Sequence, residues 1–342
     1  MIKVGVNASR RLLWNYPLSK RFKILDMFLE IFERFKRKEE WYVELGISAF
    51  PEVFGASGRG IKKQVALKIR RVVDKRGFKL TIHAPHINEK LMPDLNLCSL
   101  SKEERKTSLN YALSTIDLAY LLEAEFVTFH PGYIYKGFSP GKERFLSNYL
   151  HEAKKYLIES LKKLASHAEK NGLTITIENM EPRIDVGYLL THPSETKEVV
   201  KAVGNKFLKI TYDVAHAALA ASYYKFDQVK NFMEIADQVV KLHIHDNLCK
   251  PGLYGRVDYA EGIGDLHLVP LIGKGKVPNE AILKVAGRKK LVIYEVTPLE
   301  VEFRLSLKKL REIKYDGLIL SLIHISEPTR PRLISYAVFC LK

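Results

Sequence analysis

Short runs rich in β-branched and aromatic residues alternate with longer amphipathic stretches along most of this chain. In one of the longer stretches, Leu25, Phe28, Leu29 and Phe32 follow the i, i+3, i+4, i+7 spacing of a buried helical face. Strands that alternate with helices form parallel sheets, because each parallel pair needs a long crossover connection. The pattern predicts eight strands, at residues 2–7, 42–47, 79–83, 126–130, 173–178, 207–213, 239–243 and 291–295. Eight βα units favour closure into a barrel, so the predicted fold class is α/β, a single-domain (β/α)8 barrel of the TIM type.

The C-terminal segment stands apart from this alternation. Residues 320–342, LSLIHISEPTRPRLISYAVFCLK, look like the in-frame translation of a sequencing-library adapter. We therefore expect the barrel to occupy residues 1–319 and residues 320–342 to be a non-native tail. His324, within that tail, is not counted as a candidate ligand.

Composition narrows the class of protein. Hydrophobic residues make up 46% and charged residues 27%, which is typical of a soluble globular protein. The first residues lack a cleavable signal pattern, and no apolar run approaches the roughly 20 residues of a spanning helix. We expect a cytoplasmic monomer without a membrane partner. The net charge of +16 suits a polyanionic partner such as nucleic acid, and it is equally typical of a thermophile's solvated surface.

The cysteines exclude one kind of metal site. Cys98, Cys249 and Cys340 are scattered and have no CxxC spacing. They indicate neither a disulfide framework nor a cysteine-based zinc site. Any metal in this protein must therefore be held by histidines and carboxylates.

Metal-capable side chains occur where six of the eight predicted strands end. In a (β/α)8 barrel these ends form one rim, which carries the active site. Carboxylates and imidazoles packed closely there need a cation to offset their desolvation and repulsion. Three further candidates follow nearby, one in YDVAH and two in GDLH, and nine ligands exceed the requirement of one ion. The nine are His83, His130, Glu178, Asp213, His216, His243, Asp265, His267 and Glu295. They predict two or three ions bridged by a carboxylate such as Glu178.

Seven motifs at these strand ends carry a family resemblance. In the order TIHAPH, TFHPG, TIENM, YDVAH, KLHIHDN, GDLH and YEVTP, they resemble the endonuclease IV family of the xylose isomerase-like barrel superfamily. The resemblance spans roughly residues 2–315. It implies three zinc sites: one on His83, His130 and Glu178; one on Glu178, Asp213, His243 and Glu295; and one on His216, Asp265 and His267.

The same resemblance implies a reaction and a partner. The expected reaction is metal-dependent hydrolysis of the DNA phosphodiester 5′ to an abasic site, so the expected partner is DNA that contains such sites. The expected cofactor is Zn²⁺, with Mn²⁺ as the alternative. We expect Glu178, Glu295 and His216 to be the catalytic residues.

Three positions depart from the family pattern. His245 stands where the family usually has an asparagine, and His86 stands where an aromatic residue of the DNA-contacting loop is expected. The segment GASGRGIKK, residues 55–63, resembles the strand-separating loop only loosely. Its basic residues are candidates for phosphate contact or for an ordinary solvated loop: Arg59, Lys62 and Lys63.

Two other classes of function fit the same residues. A sugar or sugar-phosphate isomerase or epimerase would hold one divalent ion on Glu178, Asp213, His243 and Glu295. Its two glutamates would exchange protons with substrate carbons, and His216 would bind substrate. That hypothesis leaves the other four ligands without a necessary role. A non-catalytic metal-stabilised scaffold is disfavoured, because structural zinc sites are closed four-ligand arrangements.

Overall fold

The computed structural model describes residues 2–8, 13, 15–86, 94–136, 142–296 and 300–313. The predicted boundary at residue 319 and the tail at 320–342 lie outside these ranges. The strands are β1 (Lys3–Ala8), β2 (Glu40–Gly46), β3 (Lys79–His83), β4 (Phe126–Phe129), β5 (Tyr133–Lys136), β6 (Thr174–Glu178), β7 (Val186–Tyr188), β8 (Leu208–Asp213), β9 (Val239–Ile244) and β10 (Leu291–Tyr294).

Helices follow most of these strands. They are α1 (Leu18–Glu33), α2 (Lys63–Lys75), α3 (Lys102–Leu121), α4 (Lys142–Lys170), α5 (Pro193–Val203), α6 (Val214–Tyr224), α7 (Gln228–Ile235), α8 (Asn279–Ala286) and α9 (Glu300–Glu312). Within the described ranges, no helix has the length and apolarity needed to cross a membrane.

Eight strands close into a barrel in the order β1, β10, β9, β8, β6, β4, β3, β2, and every pair is parallel. This confirms the predicted (β/α)8 barrel. Each predicted strand is present, with its ends displaced by two residues at most. β5 and β7 were not predicted. They form a separate antiparallel pair after β4 and β6, and runs of four and three residues are too short for a clear alternation.

The main core lies between the barrel and its helices. Leu25, Phe28, Leu29 and Phe32 of α1 are buried there, as their spacing predicts. Phe32 packs edge-on against Phe303 of α9 with ring centroids 4.8 Å apart, which ties the first helix to the last. Burying each such side chain contributes about 1.5–3 kcal/mol.

The barrel interior beneath its mouth is polar. The hydroxyls of Thr128, Thr176 and Thr211 lie within 2.6–3.2 Å of one another. Beside them Lys241 Nζ contacts both Thr128 Oγ1 and a carboxylate oxygen of Glu44, and both charged side chains are fully buried. Barrel interiors are usually filled by bulky branched residues. A buried ion pair here therefore indicates a role in supporting the side chains above it.

A buried arginine fastens α1 to the segment after β2. Arg21 Nη1 donates to the carbonyl oxygen of Ala49 at 2.9 Å and to Glu52 at 2.7 Å, and its Nε donates to the Tyr16 carbonyl at 2.6 Å. Arg21→Met keeps an apolar stem but leaves those acceptors without donors. Hydrogen bonds to charged groups contribute about 1.5–3 kcal/mol, so we expect urea unfolding to show a loss of about 2 kcal/mol.

The matched control is Arg304→Met in α9. Arg304 is largely exposed, pairs with Glu300 one turn away and lies 5.3 Å from the ring of Phe35, so its replacement should change the free energy of unfolding by less than about 1 kcal/mol. Equal losses for the two variants would contradict a stabilising role for the buried contacts of Arg21.

Candidate metal centre

The mouth of the barrel gathers the side chains that end or follow its strands. A parallel barrel places all these ends on one face, and alternation along each strand points every second residue inward. Thus His243 of β9 points into the barrel, whereas its neighbours Leu242 and Ile244 join the outer core. Six predicted ligands reach the mouth in this way, from β3, β4, β6, β8, β9 and β10: His83, His130, Glu178, Asp213, His243 and Glu295.

The first group consists of His83, His130 and Glu178. His83 Nδ1 lies 3.0 Å from the carbonyl oxygen of Ala84, which can only accept, so Nδ1 carries the hydrogen and Nε2 keeps a lone pair. That Nε2 faces Glu178 Oε2 at 3.4 Å, and neither buried atom has a hydrogen-bond partner. His130 Nε2 lies 3.5 Å from the same oxygen.

Two imidazole nitrogens that face one buried carboxylate oxygen form a set of atoms that suits a divalent cation. With bond lengths of about 2.0–2.2 Å, the ligand atoms of one tetrahedral zinc ion stand about 3.3 Å apart. The nitrogens of His83 and His130 lie 3.4 and 3.5 Å from Glu178 Oε2, which is close to this value. The two rings are perpendicular with centroids 4.8 Å apart, and the three ligand atoms all lie within 4.8 Å of one another. The residues present therefore fit a bound divalent ion.

The second group consists of Glu178, Asp213, His243 and Glu295. His243 Nδ1 lies 3.2 Å from Glu178 Oε1, 3.1 Å from Glu295 Oε2 and 3.9 Å from Asp213 Oδ2. Glu178 thus offers one carboxylate oxygen to each group, as a bridging ligand does. On its other side, His243 Nε2 lies 2.8 Å from Glu44 Oε1.

The remaining predicted ligands lie along one side of the mouth. Asp265 Oδ2 is 2.7 Å from His267 Nε2 and 3.6 Å from His216 Nε2. His245, which was not predicted as a ligand, lies among them. Its Nε2 is 3.0 Å from Asp213 Oδ2 and its Nδ1 is 3.3 Å from Asp265 Oδ1. All nine predicted residues therefore lie near the mouth. His245 contacts both Asp213 of the second group and Asp265, so it links the two.

The family model described as the xylose isomerase-like TIM barrel matches residues 40–328. This chain belongs to that family.

Relatives of this xylose isomerase-like barrel agree with the fold. An uncharacterized protein of Methanocaldococcus jannaschii, MJ1614, is 31% identical over 276 residues, which cover 81% of this chain and 84% of the relative. Among solved structures, a D-tagatose 3-epimerase-like protein superposes with a TM-score of 0.64 at 22% identity, covering 94% of this chain and all of the other. D-Psicose 3-epimerase from Clostridium cellulolyticum H10, solved with D-tagatose, gives 0.62 at 15% identity, covering 91% and 99%. At these identities the two structures establish the shared fold.

Electrostatics at the mouth of this xylose isomerase-like barrel favour ionised carboxylates. Burial alone raises the pKa of Glu178, but His243 and His130 outweigh it and hold that pKa well below its ordinary value. Burial alone lowers the pKa of His243, but Glu44 and Glu178 hold it well above its ordinary value. A proton on this imidazole and a metal ion compete for the same nitrogen. Metal binding at the second group is therefore expected to weaken as pH falls.

Sequence reasoning missed the support beneath the second group. Glu44 and Lys241 lie far apart in sequence and meet only inside the closed barrel. Asn7 Nδ2 and Thr81 Oγ1 also donate to Glu44, at 3.0 and 3.1 Å. The sequence does contain one indication of this pair, because Lys241 and His243 are two positions apart on β9 and therefore point to the same inward face. A buried lysine needs a partner of opposite charge.

Two further ionisable side chains border these groups. The ring of His86 lies 4.3 Å from that of His83, and burial together with His83 and His130 holds the pKa of His86 well below its ordinary value. A neutral imidazole thus packs beside the first group. Burial, followed by the charge of Asp265, raises the pKa of Glu181 to about 7, with Arg183 at 3.7 Å.

The basic loop between β2 and α2 contributes no side chain to these groups. It consists of a short 3₁₀ turn, Ala56–Gly58, and the residues that follow. Arg59, Lys62 and Lys63 are exposed there. Their exposure fits a solvated loop and leaves phosphate contact as a prediction.

Proposed function

We propose that this chain is a divalent-metal-dependent isomerase or epimerase of a sugar or sugar phosphate. The observation that carries the proposal is the second group, where Glu178 and Glu295 approach His243 Nδ1 at 3.2 and 3.1 Å from two sides. In the barrel, β6 and β10 flank β8 and β9, so these carboxylates stand on either side of Asp213 and His243. A small substrate at this group would have a carboxylate near each face.

The arrangement suits proton transfer at a carbon next to a carbonyl. A divalent ion held by the second group would polarise the carbonyl and neighbouring hydroxyl of a bound sugar. One glutamate oxygen takes the proton from the carbon, and the electron pair of the C–H bond moves toward the carbonyl. Return of a proton by the opposite glutamate inverts that carbon. Return of the proton by the same glutamate to the former carbonyl carbon moves the carbonyl, provided that the hydroxyl proton of the first carbon passes to the former carbonyl oxygen.

Two solved structures that share the fold support a sugar substrate. Their titles name a D-tagatose 3-epimerase-like protein and a D-psicose 3-epimerase with D-tagatose. Both functions described by those titles invert one carbon of a ketose, which is the chemistry that two facing carboxylates can perform. We therefore place ketoses and their phosphates first among the substrates to test.

A second candidate function is hydrolysis of a phosphodiester, with DNA 5′ to an abasic site as the substrate. The first group favours it, because Glu178 can bridge two cations and paired cations suit phosphodiester displacement. An isomerase that uses only the second group has no need of His83 and His130.

The test runs both chemistries on the same metal-loaded protein. Ketohexoses, ketopentoses and their phosphates are incubated in D₂O with Mn²⁺, Co²⁺, Zn²⁺ or Mg²⁺, and products are followed by NMR. We expect a new isomer that carries deuterium at the inverted or newly protonated carbon. Glu295→Gln should lower this rate by about 10²–10⁴-fold, whereas Glu312→Gln on the exposed face of α9 should not change it.

A labelled duplex with one abasic-site analogue is tested in parallel. Absence of exchange in every sugar, together with a nick 5′ to the lesion that Glu178→Gln abolishes, would replace the isomerase with the second candidate.

A further inference from the structure

We infer that this chain holds divalent ions in the first and second groups only, and that His245 closes the position of the third ion implied by the family resemblance. The inference concerns metal number alone, so it does not depend on which reaction the protein catalyses.

The implied ligands of the third ion do not converge. Within the described ranges, the groups whose ligand atoms all lie within 4.8 Å of one another include His245 wherever they include Asp265 or His267. His216, Asp265 and His267 do not form such a group by themselves. His216 Nε2 and His267 Nε2 both approach Asp265, but from separate directions.

His245 and His267 cannot share one ion in this arrangement. Their rings are stacked, with centroids 4.3 Å apart and planes inclined by only 14°. An imidazole lone pair lies in the plane of its ring, so a metal bound to it must also lie near that plane. Two nearly parallel stacked rings therefore aim at different points. Proximity alone does not make a coordination site here.

In the group that combines Asp213, His216 and His245, the His216 nitrogen that faces Asp213 is not free to bind a metal. His216 Nδ1, the nitrogen that approaches Asp213, lies 3.1 Å from the carbonyl oxygen of Asn179. Because a carbonyl oxygen only accepts, Nδ1 carries the hydrogen and has no lone pair for a metal. The other nitrogen of this ring points toward Asp265.

One contact in this region remains unsatisfied. His245 Nδ1 and Asp265 Oδ1 lie 3.3 Å apart, and both are buried without a hydrogen-bond partner. This pair requires a proton or a cation between its members. The third residue within reach is His267, but its ring stacks on that of His245 and directs its lone pair elsewhere, whereas zinc sites in proteins use at least three protein ligands.

Metal counting tests the inference directly. The full chain is saturated with ZnCl₂, freed of excess zinc by gel filtration, and analysed by native mass spectrometry and elemental analysis. We expect two zinc ions per wild-type chain. In His245→Asn the ring that stacks on His267 is gone and Asp265 Oδ1 becomes accessible, so we expect three. Asp265→Asn added to that variant should return the number to two.

Other results would overturn the inference. Three ions in wild type, fewer than two in wild type, or no third ion in a folded His245→Asn would each do so. If His245→Asn does not fold, Asp265→Asn alone decides, because the inference requires it to keep the two ions of wild type. A lower number in that single variant would show that Asp265 already holds an ion.

Discussion

Glu178→Gln is expected to remove metal from both groups and to abolish turnover. Glu178 gives Oε2 to the first group and Oε1 to the second, so one substitution affects every ion the site holds. The amide has a similar shape but carries no charge, and it presents a donor to one of the two groups. We expect metal affinity to fall at least about 100-fold and turnover on the natural substrate to fall about 10³-fold or more.

Two comparisons make this result specific. Glu295→Gln changes a ligand of the second group only, so it should cost one ion and leave the ion of the first group in place. Glu312→Gln, exposed on α9, should retain the full metal content. Metal is counted by elemental analysis after gel filtration, and folding is checked by circular dichroism. Retention of both ions by Glu178→Gln would show that Glu178 does not bridge the groups.

The barrel and most of its mouth could be predicted from sequence for a simple geometric reason. Parallel strands in a closed barrel place their C-terminal ends on the same face. Locating the end of each strand was therefore enough to predict that His83, Glu178 and Asp213 lie together, although His83 and Glu178 are 95 positions apart in the chain. The strand ends were clear because an apolar run stops at each ligand.

Contacts across the barrel interior could not be predicted in the same way. Strand periodicity shows that Glu44 and Lys241 both point inward, but it does not show which inward residues meet. That depends on the register around the closed barrel, where β2 and β9 are not neighbours. The same limit applies to His245. Its inward position was readable, but its stacking on His267 depends on how the long segment after β9 folds back.

The family resemblance and the solved structures direct attention to different reactions, and the fold explains why. In a barrel of this kind the ligands lie at the strand ends and the substrate is contacted by the loops that follow them. The same ligand set can therefore be kept while changes in the loops alter which substrate binds. The strand-end motifs that resemble endonuclease IV consist of metal-capable residues, so they favour metal binding more strongly than they favour a DNA substrate. His245 lies among the candidate ligands themselves, so we expect it to alter metal binding as well as substrate choice.

The buried pair beneath the second group gives the largest expected effect on stability. Glu44 and Lys241 are fully buried, and Glu44 also contacts His243 from below. Removing one partner leaves the other as an uncompensated buried charge, which costs about 3–5 kcal/mol. We therefore expect Glu44→Gln, measured in EDTA so that metal binding does not contribute, to lower the melting temperature by roughly 5 °C.

The double variant Glu44→Gln/Lys241→Met separates charge from packing. It removes both charges while nearly preserving volume, and replacement of a whole buried pair is often close to neutral. We expect it to recover most of the stability that Glu44→Gln loses, within about 1 kcal/mol of wild type. If the double variant is as unstable as Glu44→Gln alone, replacing the whole pair is itself costly, and the pair stabilises the barrel. Recovery in EDTA combined with weaker zinc binding would instead show that Glu44 is retained to hold His243 for the metal, at no gain in stability.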